Sequence, residues 1–222
     1  MSEESGKEDP RRDHWRRVWR QKQPQQTSWY QAEPEISLAL IDAAAPALDR
    51  PVIDIGGGAS LLVDALLARG HGDVTVLDIA PEAFDHARAR LGAAAARVQW
   101  ISADITTWQP SRRYALWHDR AVFHFLTGAA DQAAYGRALE AGLAADGQAV
   151  IATFASDGPE KCSGLPVRRH DPASLVAALG GGLEVLEVRR EAHPTPAGMR
   201  QSFLWCRLAR AQDREGACQA VR

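Results

Sequence analysis

Cysteine is scarce in this chain of 222 residues: Cys162, Cys206 and Cys218 are an odd number at spacings that match no zinc-binding pattern. Neither a disulfide framework nor a structural metal is indicated, and free thiols are expected. An excess of one charge is lacking too. Lys and Arg total 26 against 28 Asp and Glu, a formal net charge of −2. No overall positive field is therefore available to draw in a nucleic-acid backbone, and nucleic acid is not expected as a partner. No apolar run approaches the roughly 18 residues of a membrane span, and the first residues carry no hydrophobic signal core. The expectation is a soluble, cytoplasmic protein without a membrane partner. Internal repeats are missing as well.

What is present is enough hydrophobic surface for one substantial core. Hydrophobic residues make up 45% of the chain, and domains commonly hold roughly 100 to 200 residues. Residues 1 to about 13 and the tail from about Ala211 are polar, without the apolar spacing that would offset the entropy of ordering them. Between them the pattern alternates. Strands are expected over 51–55, 74–78, 98–103, 114–118 and 148–154, and helices over 36–48, 60–69, 81–91, 131–144 and 172–179. Such alternation implies right-handed crossovers and a parallel sheet with helices on both faces. Two strand-like runs at 183–188 and 202–208, with no helix between them, read as a terminal hairpin joined by a turn-rich loop over 193–198.

The most informative stretch is Val52-Ile53-Asp54-Ile55-Gly56-Gly57-Gly58. A strand with one carboxylate runs into glycines and then into a helical pattern. Glycine allows positive φ and the close approach of a ligand, and a helix start offers free N–H groups. A dinucleotide-binding turn would place a third glycine where Leu61 stands. Asp78 ends the second strand, with Ile79 beside it, where a carboxylate suits a ribose. Asp104 ends the third, followed by Ile105, a pair suited to the N–H and ring face of an aminopurine. Read separately, Asp54 is a strand-end cap, Asp78 a helix N-cap and Asp104 a turn former.

Acids at three successive strand ends, with Asp54-Ile55-Gly56-Gly57-Gly58 as first motif, resemble the class I, or seven-strand, S-adenosylmethionine-dependent methyltransferases. The resemblance spans about residues 34–208. It implies a Rossmann-like three-layer α/β/α sandwich whose mostly parallel seven-stranded sheet has one antiparallel strand and the order 3-2-1-4-5-7-6. It also implies S-adenosylmethionine as cofactor, with Asp54, Gly56, Gly57 and Gly58 in the first motif, Asp78 on the ribose and Asp104 on the adenine. Residues 34–210 would form the methyltransferase domain, residues 1–33 an N-terminal segment able to act as a lid, and residues 211–222 a disordered tail.

On the substrate side, Trp117-His118-Asp119-Arg120-Ala121-Val122-Phe123-His124-Phe125 follows the fourth strand beside the crevice. His124 reads as a general base or as a core histidine. Asp119 reads as a pocket wall that also borders the cofactor, and Arg120 as receiver of an anionic group, unless the two form a local ion pair. His118 reads as part of the strand end. Trp15, Val18 and Trp19 share one face of a helix. Trp29 and Tyr30 are candidates for enclosing the sulfonium by cation–π contact, or aromatic anchors for the N-terminal segment. The turn-rich run 155–167, with Cys162, reads as a substrate-facing loop.

Methyl transfer from a sulfonium is an in-line displacement that calls mainly for alignment in a dry pocket. The leading reading is transfer to a heteroatom of a small molecule, for instance a thiol or related soft nucleophile. A second is protein lysine methylation, since Asp119-Arg120-Ala121 partly matches an Asp-Lys-Gly motif of some lysine methyltransferases. A third is a non-catalytic nucleoside-binding partner subunit.

Overall fold

The computed structural model describes residues 9–211. The first eight residues, the expected tail beyond Ala211 and Cys218 lie outside them. Along the chain run α1 (Pro10–Gln21), α2 (Glu35–Ala44), β1 (Val52–Ile55), α3 (Leu62–Ala68), β2 (Val74–Asp78), α4 (Glu82–Leu91), β3 (Val98–Ser102) and β4 (Tyr114–Arg120). Then come α5 (Ala129–Gly142), β5 (Leu143–Phe154), a two-residue ribbon of β6 (Lys161–Cys162) and β7 (Leu165–Pro166), α6 (Pro172–Ala178), β8 (Leu183–Pro194) and β9 (Arg200–Arg210).

The main sheet has seven strands in the order β3-β2-β1-β4-β5-β9-β8. Pairings from β3 through β5 are parallel, and β9 alone runs against both neighbours. With the ribbon set aside, this is the order and the single reversal expected. Helices cover both faces. On one side, Leu40 and Ile41 of α2, Leu62 and Leu66 of α3 and Phe84 of α4 meet Val150, Phe203 and Trp205. On the other, Tyr135 and Leu139 of α5 and Leu175 of α6 meet Ala149, Ile151, Leu204 and Cys206. Successive residues of β5 and β9 thus serve opposite layers, as the period-two geometry of a strand requires. Each large aliphatic side chain so buried contributes about 1.5–3 kcal/mol of transfer free energy.

Several boundaries depart from the sequence reading. Helix α1 begins at Pro10, inside the stretch expected to be mobile, because the Asp9 side chain accepts the Arg11 N–H at 3.0 Å and Pro10 suits a first turn. Helix α2 stops at Ala44 because Ala45 turns left-handed at φ 46° ahead of Pro46. Strand β4 continues two residues past His118, still paired with β5 through Arg120↔Ala152. Strand β5 starts at Leu143, whose side chain is buried and whose backbone pairs with Tyr114. Strand β8 extends to Pro194, where the sheet edge tolerates a missing N–H. The expected loop shrinks to a turn closed by Gly198 N–H donating to Thr195 O at 2.9 Å. No helix among the described residues is long and apolar enough to cross a membrane.

Candidate active site

The carboxyl ends of β1, β2, β3 and β4 open onto a crevice, and the glycine turn forms its floor. Gly56 sits at φ +66°, and a Cβ there would lie 2.1 Å from Val122 Cγ2; one on Gly57 would lie 2.3 Å from Asp54 Oδ2. Only bare backbone fits against these groups, so the turn leaves room above it. The crevice divides into two adjoining cavities. Asp78, Ile79, Asp104 and Ile105 line the first, beneath Arg11, Trp15 and Trp19 of α1. Tyr30, Ser37, Asp54, Gly57 and His118 line the second. Trp19, Trp29, Ile55, Gly56 and Arg120 border both.

Helix α1 is held down as a roof. Arg16 Nε and Arg20 Nη2 each lie 2.8 Å from Glu82 Oε1 on α4. The face carrying Trp15 and Trp19 turns inward, and Trp29 packs edge-on against both, with ring centroids 5.6 and 6.0 Å apart. The segment bearing Trp29 is itself anchored: Arg120 Nη1 donates to Trp29 O at 2.8 Å, and His193 Nε2 lies 3.0 Å from Ser28 O.

The three strand-end acids differ in state. Asp78 is buried and its Oδ1 accepts the Ala80 N–H at 2.9 Å. Burial, reinforced by the nearby Asp54 charge, pushes its carboxyl up to about 7 against the opposing backbone hydrogen bonds. Asp104 Oδ1 accepts from Thr106 N and Oγ1 at 2.8 and 2.7 Å, and its Oδ2 meets Arg11 Nη2 at 3.1 Å. Asp104 therefore fills the turn role open to it while still facing the cavity, whereas Asp78 faces the cavity and bends the chain at Ala80 without capping α4, whose N-cap is Pro81. Asp54 lies 2.7 Å from His118 Nδ1 through Oδ1, and its buried Oδ2 has no partner among the described residues.

Three residues expected at the site stand outside it. Gly58 lines neither cavity; a Cβ there would meet Asp78 Oδ2 at 2.6 Å and Ala83 Cβ at 2.7 Å, so it lets the turn pack against β2 and α4. Asp119 is fully buried, accepting from Val122 N at 2.9 Å, Phe123 N at 3.2 Å and Tyr135 OH at 2.7 Å. Its carboxyl, lifted to about 6 by burial, braces the end of β4 and makes no ion pair with Arg120. His124 points into the core among Phe125, Phe154 and Phe203, with Phe154 N–H donating to Nδ1 at 3.3 Å. Burial drives its imidazole down to about 3, which removes the geometry and the basicity that a general base needs. Because β4 runs on to Arg120, strand alternation puts Asp119 on the sheet face opposite His118, toward Tyr135 of α5, while His124 lies beyond the strand in a short 3-10 turn over Phe123–Phe125.

Arg120 does reach the crevice. Its guanidinium lies 4.8 Å from the Phe203 ring centroid, and Nε and Nη2 have no partner among the described residues. Burial lowers it to about 10. A guanidinium with two unpaired nitrogens and the unpaired Asp54 Oδ2 thus border one cavity, and together they suit a ligand end bearing both an anionic and a cationic group. The acids, glycines and aromatics assigned to the cofactor otherwise converge here: Trp29, Tyr30, Asp54, Gly56, Gly57, Asp78, Ile79, Asp104 and Ile105 all line the crevice. Arg11, Ser37 and His118 complete it and went unassigned in the sequence. The signal for His118 was its place as the strand neighbour of Asp54, which only the β1–β4 pairing reveals.

Residues 52–147 match a family model described as a methyltransferase domain. No curated protein matches the chain by sequence. Among solved structures, an S-adenosylmethionine-dependent methyltransferase from Anabaena variabilis ATCC 29413 is similar at 13% identity, covering 95% of this chain and 99% of that one with a TM-score of 0.71. A structure concerning the conversion of a disulfide bond into a thioacetal group during echinomycin biosynthesis is similar at 20% identity, covering 90% and 93% with a TM-score of 0.70. The Burkholderia thailandensis 1,6-didemethyltoxoflavin-N1-methyltransferase, with bound 1,6-didemethyltoxoflavin and S-adenosylhomocysteine, is similar at 22% identity, covering 89% and 83% with a TM-score of 0.62.

Proposed function

Since its methyltransferase domain and its fold make this chain a class I S-adenosylmethionine-dependent methyltransferase, we propose that it methylates a heteroatom of a small, largely apolar molecule, with a thiol or similar soft nucleophile as acceptor. The observation that carries the acceptor class is the lining of the crevice. Beside the strand-end acids and the two arginines, its walls are Trp15, Trp29, Val122, Phe125, Leu126 and Cys162. Such walls favour an apolar body, and no histidine among the described residues lines this cavity. The acceptor then has to release its proton largely unaided. A thiol, with an ordinary pKa of about 8.5, does so far more readily than a lysine ammonium at about 10.4.

The cofactor supplies a methyl group on a positively charged sulfur when bound. In this reading Asp78 accepts from the ribose hydroxyls, Asp104 faces the adenine between Ile79 and Ile105, and Gly56 and Gly57 let the chain of the cofactor lie on bare backbone. Arg120 faces the amino-acid carboxylate, and Trp29 and Tyr30 flank the sulfonium end. This moves Arg120 from the acceptor to the cofactor. The echinomycin and toxoflavin proteins, both named for small-molecule chemistry, support a small-molecule acceptor, the toxoflavin one being named for transfer to N1. Asp119, the first residue of the run that resembles lysine methyltransferases, is taken up by Val122, Phe123 and Tyr135 rather than facing the crevice, which favours the small-molecule reading.

Isotopically labelled S-adenosylmethionine, offered with a panel of apolar thiols, ring-nitrogen heterocycles and phenols and, separately, with fractionated cell protein, tests the proposal. Label is expected in the thiols. Label confined to protein bands would overturn it.

A further inference from the structure

Three buried side chains from three elements form a continuous line behind the second cavity. Ser37 of α2 places its Oγ 3.0 Å from His118 Nε2, and His118 Nδ1 lies 2.7 Å from Asp54 Oδ1. Their exposures are 1%, 3% and 2%, so water does not serve in place of any of these contacts. The line is fixed by topology. Asp54 and His118 are register partners on the central strands β1 and β4, and their side chains therefore leave the sheet on one face. Ser37 sits in the first turns of α2, which packs on that face. Trp205 lies along the imidazole, ring centroids 6.2 Å apart, and closes its other side.

A buried carboxylate bonded through one oxygen is costly unless the other oxygen is used. Asp54 Oδ2 has no partner, and beside it Gly57 presents bare backbone where a Cβ would be only 2.3 Å away. Asp54, Gly57, His118 and Ser37 all line the same cavity. We propose that His118, steadied by Ser37, is a positioning residue that holds Asp54 by one oxygen so that the other receives the α-ammonium of the cofactor's amino-acid moiety. The inference rests on the cofactor reading above and adds to it a residue that acts through Asp54. With Nδ1 protonated, the ring donates to Asp54 and Nε2 accepts the Ser37 hydroxyl hydrogen, so neutral imidazole satisfies both ends. Without the ring, the carboxylate is free to rotate toward the space vacated, and the ammonium loses an aligned partner.

The test compares two ligands by calorimetry on the full-length chain: S-adenosylhomocysteine, which carries the amino-acid group, and methylthioadenosine, which lacks it. His118→Leu is expected to weaken S-adenosylhomocysteine by about tenfold or more, the loss typical of a charged hydrogen bond, and methylthioadenosine by less than about twofold. His118→Asn, which keeps a donor toward Asp54, should recover a part of that loss, and Ser37→Ala should show the same selectivity in weaker form. Equal weakening of both ligands, or no change in either, would overturn the proposal. If His118→Leu does not fold, His118→Asn and Ser37→Ala decide by the same ratio. Failure of the wild-type chain to bind either ligand would instead strike the cofactor reading itself.

Discussion

At the scale of single residues, Asp78 is the group whose chemistry most directly couples to cofactor binding. Its folded carboxyl titrates near 7, against 3.8 for the unperturbed group, because burial opposes the charge. In the proposed cofactor reading, ribose hydroxyls donate to the ionised form, so binding favours loss of the proton. Affinity for S-adenosylhomocysteine should therefore rise by about tenfold per pH unit on approach to pH 7 and level off above it. Calorimetry between pH 5 and pH 9 checks this, and Asp78→Asn should flatten the profile while lowering affinity throughout. His124 makes the opposite case. Enclosed by phenylalanines and outside the crevice, it serves packing, and His124→Leu should retain turnover within about threefold while shifting the melting temperature. A loss of turnover beyond about a hundredfold with an unchanged melt would restore it to the chemistry.

At the scale of elements, the left-handed Ala45 after α2 is a simple lever. An alanine at φ 46° carries a steric cost that glycine does not, so Ala45→Gly should raise stability by about 1 kcal/mol, read from the urea midpoint. Local features of this size explain what the sequence disclosed. The glycine turn and the acids ending β1, β2 and β3 were legible because each is a short-range pattern: extended backbone, then a bend, then a helix start. The sheet order came from resemblance, and the hairpin from two strand-like runs without a helix between them. Pairings across long loops were hidden. Ser37, His118 and Asp54 meet through α2, β4 and β1, and nothing near any of them in sequence announces the others. The continuation of β4 to Arg120 was equally hidden, because pairing with β5 overrides the local pattern, and with it went the orientation of Asp119.

For the whole molecule, the buried ionisable groups set a pH response with opposing parts. Asp78 and Asp119 are raised to about 7 and about 6 from 3.8. Each holds its proton in the fold while the unfolded chain has released it, so the stability it contributes is complete below about pH 4 and is lost as pH rises through its folded value. His124 and His170 are lowered to about 3 and about 4 from 6.5, chiefly by burial. They remain neutral in the fold where the unfolded chain charges, so stability is lost as pH falls below 6.5 toward those values. Between about pH 4 and 6 the two pairs offset each other, and below about pH 4 only the histidine loss remains. The urea midpoint should therefore be nearly flat across that window and fall on further acidification. Saturating S-adenosylhomocysteine, by holding Asp78 ionised, removes one of the opposing parts and should turn the flat window into a rise of stability with pH.

The guanidinium of Arg11 on Asp104, with Arg16 and Arg20 on Glu82, gives α1 the character of a fastened door. Trp15 and Trp19 lie over the first cavity, and we propose that the cofactor enters and leaves as the helix lifts and settles again. Added salt, which loosens such partly exposed charge contacts, should then quicken release of S-adenosylhomocysteine in a stopped-flow measurement, and a rate independent of salt would overturn this.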